Sequence, residues 1–142
     1  MRDSDFHEKL KRRITEEAIP DVHFHPSLEQ EQLAAWMAGV DLFVLPSHME
    51  GLGLVALEAM SCHTPVVGTD VGGLSFLLKE GGGTIVAPRD PDSLYEGMKR
   101  VMDDPDLYRG SIEEGERLAE RHDSRKIVRQ LNELYTGMEE QQ

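Results

Sequence analysis

Short apolar runs alternate with helix-period stretches along most of this chain. Asp41 to Leu45 is apolar without alternation after its aspartate, which suits a strand of a parallel sheet covered on both faces. Pro65 to Gly68 and Thr84 to Ala87 are two further strand-like runs, and Asp21 to His25 is a short fourth. A highly charged helix is predicted over Ser4 to Ala18, ending before Pro20. A second runs from a cap at Ser27, with Glu29 and Gln30 in its first turn, to Met37. A third spans Gly53 to Cys62. A short fourth opens at Gly72-Gly73 and ends near Glu80, before the Gly81-Gly82-Gly83 turn. Asp90-Pro91 and Asp104-Pro105 each set a capping carboxylate before a proline at the first helical position. A last helix starts at Asp123 or Ser124 and carries Ile127, Leu131, Leu134 and Tyr135 on one stripe. Four strands separated by helices give an α/β fold, a Rossmann-like and mainly parallel sheet with flanking helices. The last three helices have no strands between them and are expected to wrap the sheet edge. Met98, Val101 and Met102 read as core, and Glu113 to Glu120 as a solvated face.

The 142 residues make one domain by length, with a polar tail from Glu139 to Gln142. Net charge is −12, which repels nucleic acid and anionic lipid alike, so neither is expected as a partner. Cys62 stands alone, so no internal disulfide forms, and it reads as a small buried hydrophobe. Met1 to Arg13 is charged throughout and has no apolar signal core. No apolar run approaches the roughly 20 residues of a spanning helix. The expected compartment is the cytoplasm.

The chemistry concentrates between Pro46 and Met60, in P-S-H-M-E-G-L-G-L-V-A-L-E-A-M. In an open parallel sheet, ligands bind at the carboxyl ends of strands, and this loop leaves one. So does Gly68-Thr69-Asp70-Val71-Gly72-Gly73, while Pro26-Ser27 is less distinctive. Gly51 and Gly53 let backbone N–H groups approach a ligand at a helix start, where the dipole favours an anion such as phosphate. Glu58 is the only charge between Gly51 and Cys62, and a lone carboxylate in an apolar helix is expensive to bury without a partner. Seven residues of helix would put roughly 10 Å between Gly51 and Glu58. That span suits a ligand with a phosphate in the middle and hydroxyl groups at both ends, as in a nucleotide sugar. Neither a P-loop nor the G-x-G-x-x-G dinucleotide fingerprint is present.

The run from Phe43 to Gly73, F-V-L-P-S-H-M-E-G-L-G-L-V-A-L-E-A-M-S-C-H-T-P-V-V-G-T-D-V-G-G, resembles the C-terminal, donor-binding domain of family 4 retaining glycosyltransferases. These are enzymes of the GT-B fold. Weaker similarity extends from Asp21 to Tyr135, through Val22–His25, Val40-Asp41 and Gly83–Pro88. The resemblance implies that Glu50 contacts the donor sugar near the reacting carbon and that Glu58 holds the ribose hydroxyls. It implies that the backbone of Gly51, Leu52, Gly53 and Leu54 cradles sugar and diphosphate, with Val55 near the ribose-phosphate. Ser47, His48, Gly72 and Gly73 would line the cleft. The nucleotide-diphosphate sugar would be substrate, and neither cofactor nor metal is expected.

The family's two-domain unit is larger than this chain. An N-terminal acceptor domain, a glycine-arginine strand and its downstream lysine, the basic grip on the diphosphate, find no counterpart in these residues. The domain is expected to be partial, active only with its remaining parts, a nucleotide-sugar-binding remnant, or an inactive fragment. A complementary chain, a homodimer formed through the edges of Asp41–Leu45 or Val22–His25, or direct pairing of those two strands would relieve the open edges. A glycine is usual in the family where His25 or Pro26 stands, and Leu52 replaces a common aromatic. His23, His25, His48 and His63 share no metal-ligand spacing and read as surface or loop-end residues. Asp70 is expected to cap the Gly72 turn. Arg89, after the last strand, is the nearest basic candidate for a phosphate.

Overall fold

Two Asp-Pro pairs, one glycine-rich turn and three short strand runs set most of the architecture. The computed structural model describes residues 3–129. Helix α1 spans Asp3–Glu16 and α2 spans Gln30–Ala38. They are followed by β1 (Phe43–Leu45), α3 (Leu54–Ser61), β2 (Val66–Thr69), α4 (Gly72–Lys79) and β3 (Gly83–Val86). Helices α5 (Pro91–Asp103) and α6 (Pro105–Arg121) come next, and residues 124–129 are again helical. Leu131, Leu134, Tyr135 and the polar tail lie outside the described residues.

The sheet is parallel in the order β1-β2-β3, with Phe43 opposite Val66 and Val66 opposite Gly83. Val66 and Val67 point to opposite faces, as strand pleating requires. On one face Val66 meets Ala56, Met60, Leu74, Leu78 and Leu118, from α3, α4 and α6. On the other, Val67 and Val86 meet Val101 of α5, with Leu94, Met98, Leu107 and Tyr108 around them. Helices therefore cover both faces, and all four residues of β2 are buried. Met102, expected in the core, lies on the outer side of α5 and is 49% exposed.

The fourth strand does not form. Residues 21–29 are a bend followed by irregular chain and enter no ladder, and among the described residues β1 pairs with β2 alone. A strand needs a backbone partner as well as the right side chains. Here the segment is held by side chains instead. Phe24 meets His7 of α1 edge to face at 4.6 Å, and His25 meets Trp36 of α2 at 4.7 Å. The direct pairing of residues 22–25 with 41–45 is thus absent, and β1 is half-buried rather than enclosed.

Helix starts follow their local chemistry. Glu29 replaces Ser27 as the cap of α2, because Glu29 and Gln32 form a reciprocal capping box. Asp90 Oδ1 accepts from the Ser93 N–H at 3.0 Å, and Asp104 Oδ1 accepts from Asp106 and Leu107 N–H, each at 3.0 Å. Asp104→Ala removes both acceptors from the head of α6. It is expected to cost about 1 kcal/mol, read as a lower urea midpoint at unchanged slope.

Candidate functional site

The loops leaving β1 and β2 meet at the carboxyl end of the sheet, and glycine makes the meeting possible. Gly72 has φ +47, and a Cβ there would lie 2.1 Å from the Glu50 carbonyl oxygen. A Cβ on Gly73 would lie 1.8 Å from the Gly51 carbonyl oxygen and 2.9 Å from Leu52 Cα. The Gly73 N–H donates to the Glu50 carbonyl at 3.3 Å. The head of α4 is therefore pressed against the 50–52 segment, backbone on backbone. Thr69, a buried residue at the end of β2, completes the brace by donating its hydroxyl to the Ser47 carbonyl at 2.6 Å. Sequence reasoning missed Thr69, because nothing local marks a threonine that bonds 22 residues away.

Gly51 and Leu52 form a bend ahead of α3, and Gly53 caps the helix in the left-handed region at φ +80. The helix thus begins at Leu54, later than a start at Gly51 would place it, and the helical rise from Gly53 to Glu58 is about 7 Å. Gly53 offers no side chain, and no side chain caps α3. The head of α3 keeps the unpaired N–H character of a helix start. Val55, in that first turn, is half-buried, whereas Leu52 and Leu54 are exposed. The open side of Gly51 has nothing within 4 Å of a built Cβ.

Glu50 is half-buried and drawn onto its own loop. Its Oε1 accepts from the Gly51 N–H at 3.0 Å and its Oε2 from the Ser47 hydroxyl at 3.4 Å. Each carboxylate oxygen keeps one free lone pair. Glu58 is exposed, contrary to a buried lone carboxylate. The apolar residues of α3 that are buried, Ala56, Leu57, Ala59 and Met60, turn it outward, so no desolvation penalty demands a ligand. Glu58 instead lines an open groove of about 560 Å³ with Gln30, Leu54, Ser61, His122 and Arg125, between α2, α3 and the end of α6. Asp123 beside it is held down to about 2 by hydrogen bonds from Arg125.

His48 and Glu58 line different clefts. His48 Nδ1 accepts from Arg89 Nε at 3.3 Å, across a second cleft. Asp70 does not cap α4, whose cap position is Val71. Its carboxylate accepts from the Ser75 hydroxyl and from Lys79 Nζ, which hold it below the ordinary carboxylate range, Ser75 being the larger cause. Ser47, Gly72 and Gly73 are thus gathered at Glu50, Glu58 lies along α3 from them, and His48 belongs to the neighbouring cleft.

Residues 3–135 match the family model described as Glycosyl transferases group 1. Over 136 residues the chain is 37% identical to D-inositol 3-phosphate glycosyltransferase of Thermomonospora curvata, covering 92% of this chain and 31% of that protein. The Streptomyces griseus enzyme of the same name is 40% identical over 102 residues, 70% of this chain and 21% of the relative. The chain spans between about a fifth and a third of these relatives' length. Sucrose-phosphate synthase from Thermosynechococcus elongatus superposes with a TM-score of 0.80 at 30% identity, over 95% of this chain and 35% of that one. Anabaena HepE in complex with UDP and glucose has the same fold, with a TM-score of 0.84 at 24% identity, over 95% of this chain and 37% of its own.

Proposed function

Because the chain belongs to the group 1 glycosyl transferases, we propose that it is the donor-binding part of an enzyme that moves a sugar from a nucleotide-diphosphate sugar to an acceptor, with retention. One observation carries this reading: the head of α3, with no side-chain cap, stands behind a glycine turn braced by Gly72 and Gly73, with Glu50 at the turn and Glu58 further along the helix. The N–H groups of Gly53, Leu54 and Val55, with the helix dipole, suit the diphosphate and stabilise the charge that grows on it as the glycosidic bond breaks. The bend at Gly51 and Leu52 brings sugar against backbone. Glu50, with a free lone pair on each oxygen, orients the donor sugar and offsets positive charge on its ring. Glu58 accepts from the ribose diol in a groove of nucleoside size. No metal and no cofactor has a role in this account.

The acceptor domain, and strands beside β1, would come from further polypeptide, in the same protein or as a complementary chain. Pairing of two copies through β1 is the alternative. Among the described residues no helix is long and apolar enough to cross a membrane.

Calorimetric titration of the chain with UDP, GDP and their glucose and mannose conjugates tests the reading. Saturable binding of one nucleotide series, with the sugar conjugate at least as tight as the diphosphate, is expected. Heats of dilution alone across all of them would refute donor binding by this chain.

A further inference from the structure

The cleft next to Glu50 is built differently from the glycine turn. It is open, about 400 Å³, and lies at the carboxyl ends of all three strands. His48 and Thr69 enter it after β1 and at the end of β2, Arg89 and Asp90 after β3, over an apolar floor that includes Pro46 and Leu94. Arg89 sits in the left-handed region at φ +60, which a residue with a Cβ adopts at a cost. Its Nε donates to His48 Nδ1 at 3.3 Å, which joins two exposed side chains 41 positions apart. Making Nδ1 the acceptor places the proton of a neutral His48 ring on Nε2. The other N–H groups of the guanidinium have no carboxylate partner among the described residues. The one acid beside it, Asp90, directs Oδ1 back to the Ser93 N–H at the head of α5.

The pair therefore presents donors and a cation to the cleft, on a chain of net charge −12. A planar guanidinium with free terminal nitrogens matches two oxygens of a phosphate, and a ring N–H beside it supplies a third donor. We propose that Arg89 and His48 form a phosphate-ester subsite of the same active-site face. The inference rests on the nucleotide-sugar reading only for the identity of the ester. Two sources share this chemistry: the diphosphate of the donor, and a phosphate carried by the acceptor. Arg89 is then a positioning and specificity residue that this chain supplies from the far side of the sheet from α3.

The test follows the His48 ring signals by proton NMR. The full chain is titrated separately with inorganic phosphate, UDP and D-inositol 3-phosphate. Inorganic phosphate is expected to move the ring signals, and at least one of the two esters to move them at lower concentration. In Arg89→Gln the apparent affinity for these ligands falls roughly tenfold or more. Arg89→Gly serves as a second variant, because glycine accepts φ +60 without strain and still removes the guanidinium. Ring signals that follow UDP assign the subsite to the donor, and signals that follow inositol phosphate assign it to the acceptor. Ring signals unmoved by all three ligands, or moved in both variants at the same ligand concentrations as in the unsubstituted chain, overturn the subsite. If UDP leaves the glycine turn unaffected while phosphate still moves His48, the donor reading fails and the subsite stands. The reverse pattern fails the subsite alone.

Discussion

Gly73→Ala is expected to destroy the site and much of the stability together. A methyl group at this position would be 1.8 Å from the Gly51 carbonyl oxygen and 2.8 Å from its carbon. Both neighbours are backbone, so no rotamer change relieves the clash. Either α4 withdraws from the 50–52 segment, breaking the Gly73 N–H bond to Glu50, or the turn moves outward. The first outcome loosens Leu74, which is fully buried and packs beneath Gly53. The second pulls Gly51 and Leu52 out of register with the head of α3. Overpacking of this kind costs about 3 kcal/mol, a large share of the stability of a small domain. The expected readout is a thermal midpoint lower by roughly 10 °C or more, with nucleotide binding lost in the fraction that stays folded. A midpoint within 2 °C of wild type would show that the two loops are not in the contact described.

Glu58→Ala is expected to do the opposite: binding collapses and folding is untouched. Glu58 is exposed in the second turn of α3, and alanine is the better helix former, so stability should change by about 0.5 kcal/mol or less. If the carboxylate holds a ribose diol through two charge-assisted hydrogen bonds, their loss costs about 3 kcal/mol, which is roughly a hundredfold in Kd. The ribose matters to the comparison. The loss should be present for UDP and absent for inorganic pyrophosphate, which has no diol. An equal loss for both would mean that Glu58 acts on the charge of the ligand or on the helix itself. No loss for either would remove it from the site.

The features that could be read along the chain are those that act locally. Asp90-Pro91 and Asp104-Pro105 were sufficient to place two helix starts, since each capping carboxylate and the N–H groups that it accepts from are only two or three residues apart. The glycines of the 51–53 and 72–73 turns mark backbone freedom wherever they fall. Family resemblance assigned Glu50 and Glu58 their roles, which the geometry alone leaves open. Properties that depend on distant partners were not legible. The alternation of Val22 and Phe24 with His23 and His25 suggests a strand, but among the described residues no ladder partner lies beside them, and aromatic contacts with α1 and α2 hold the segment. Glu58 looks buried in a run of apolar residues because sequence order hides which side of α3 faces the sheet. Met102 reads as core for the same reason. The Thr69–Ser47 brace and the Arg89–His48 contact join residues 22 and 41 positions apart, and only the crossing of β1, β2 and β3 brings them together.

The central claim is that the head of α3, behind the Gly51–Gly53 turn, receives the diphosphate of a nucleotide sugar. Amide-resolved NMR of the chain, titrated with the nucleotide diphosphate that binds in calorimetry, tests it most directly. The account predicts that the largest shifts fall on Gly51, Leu52, Gly53, Leu54 and Val55, with smaller ones along α3 to Glu58. Saturating shifts confined to residues elsewhere, with those five amides unmoved, would contradict it.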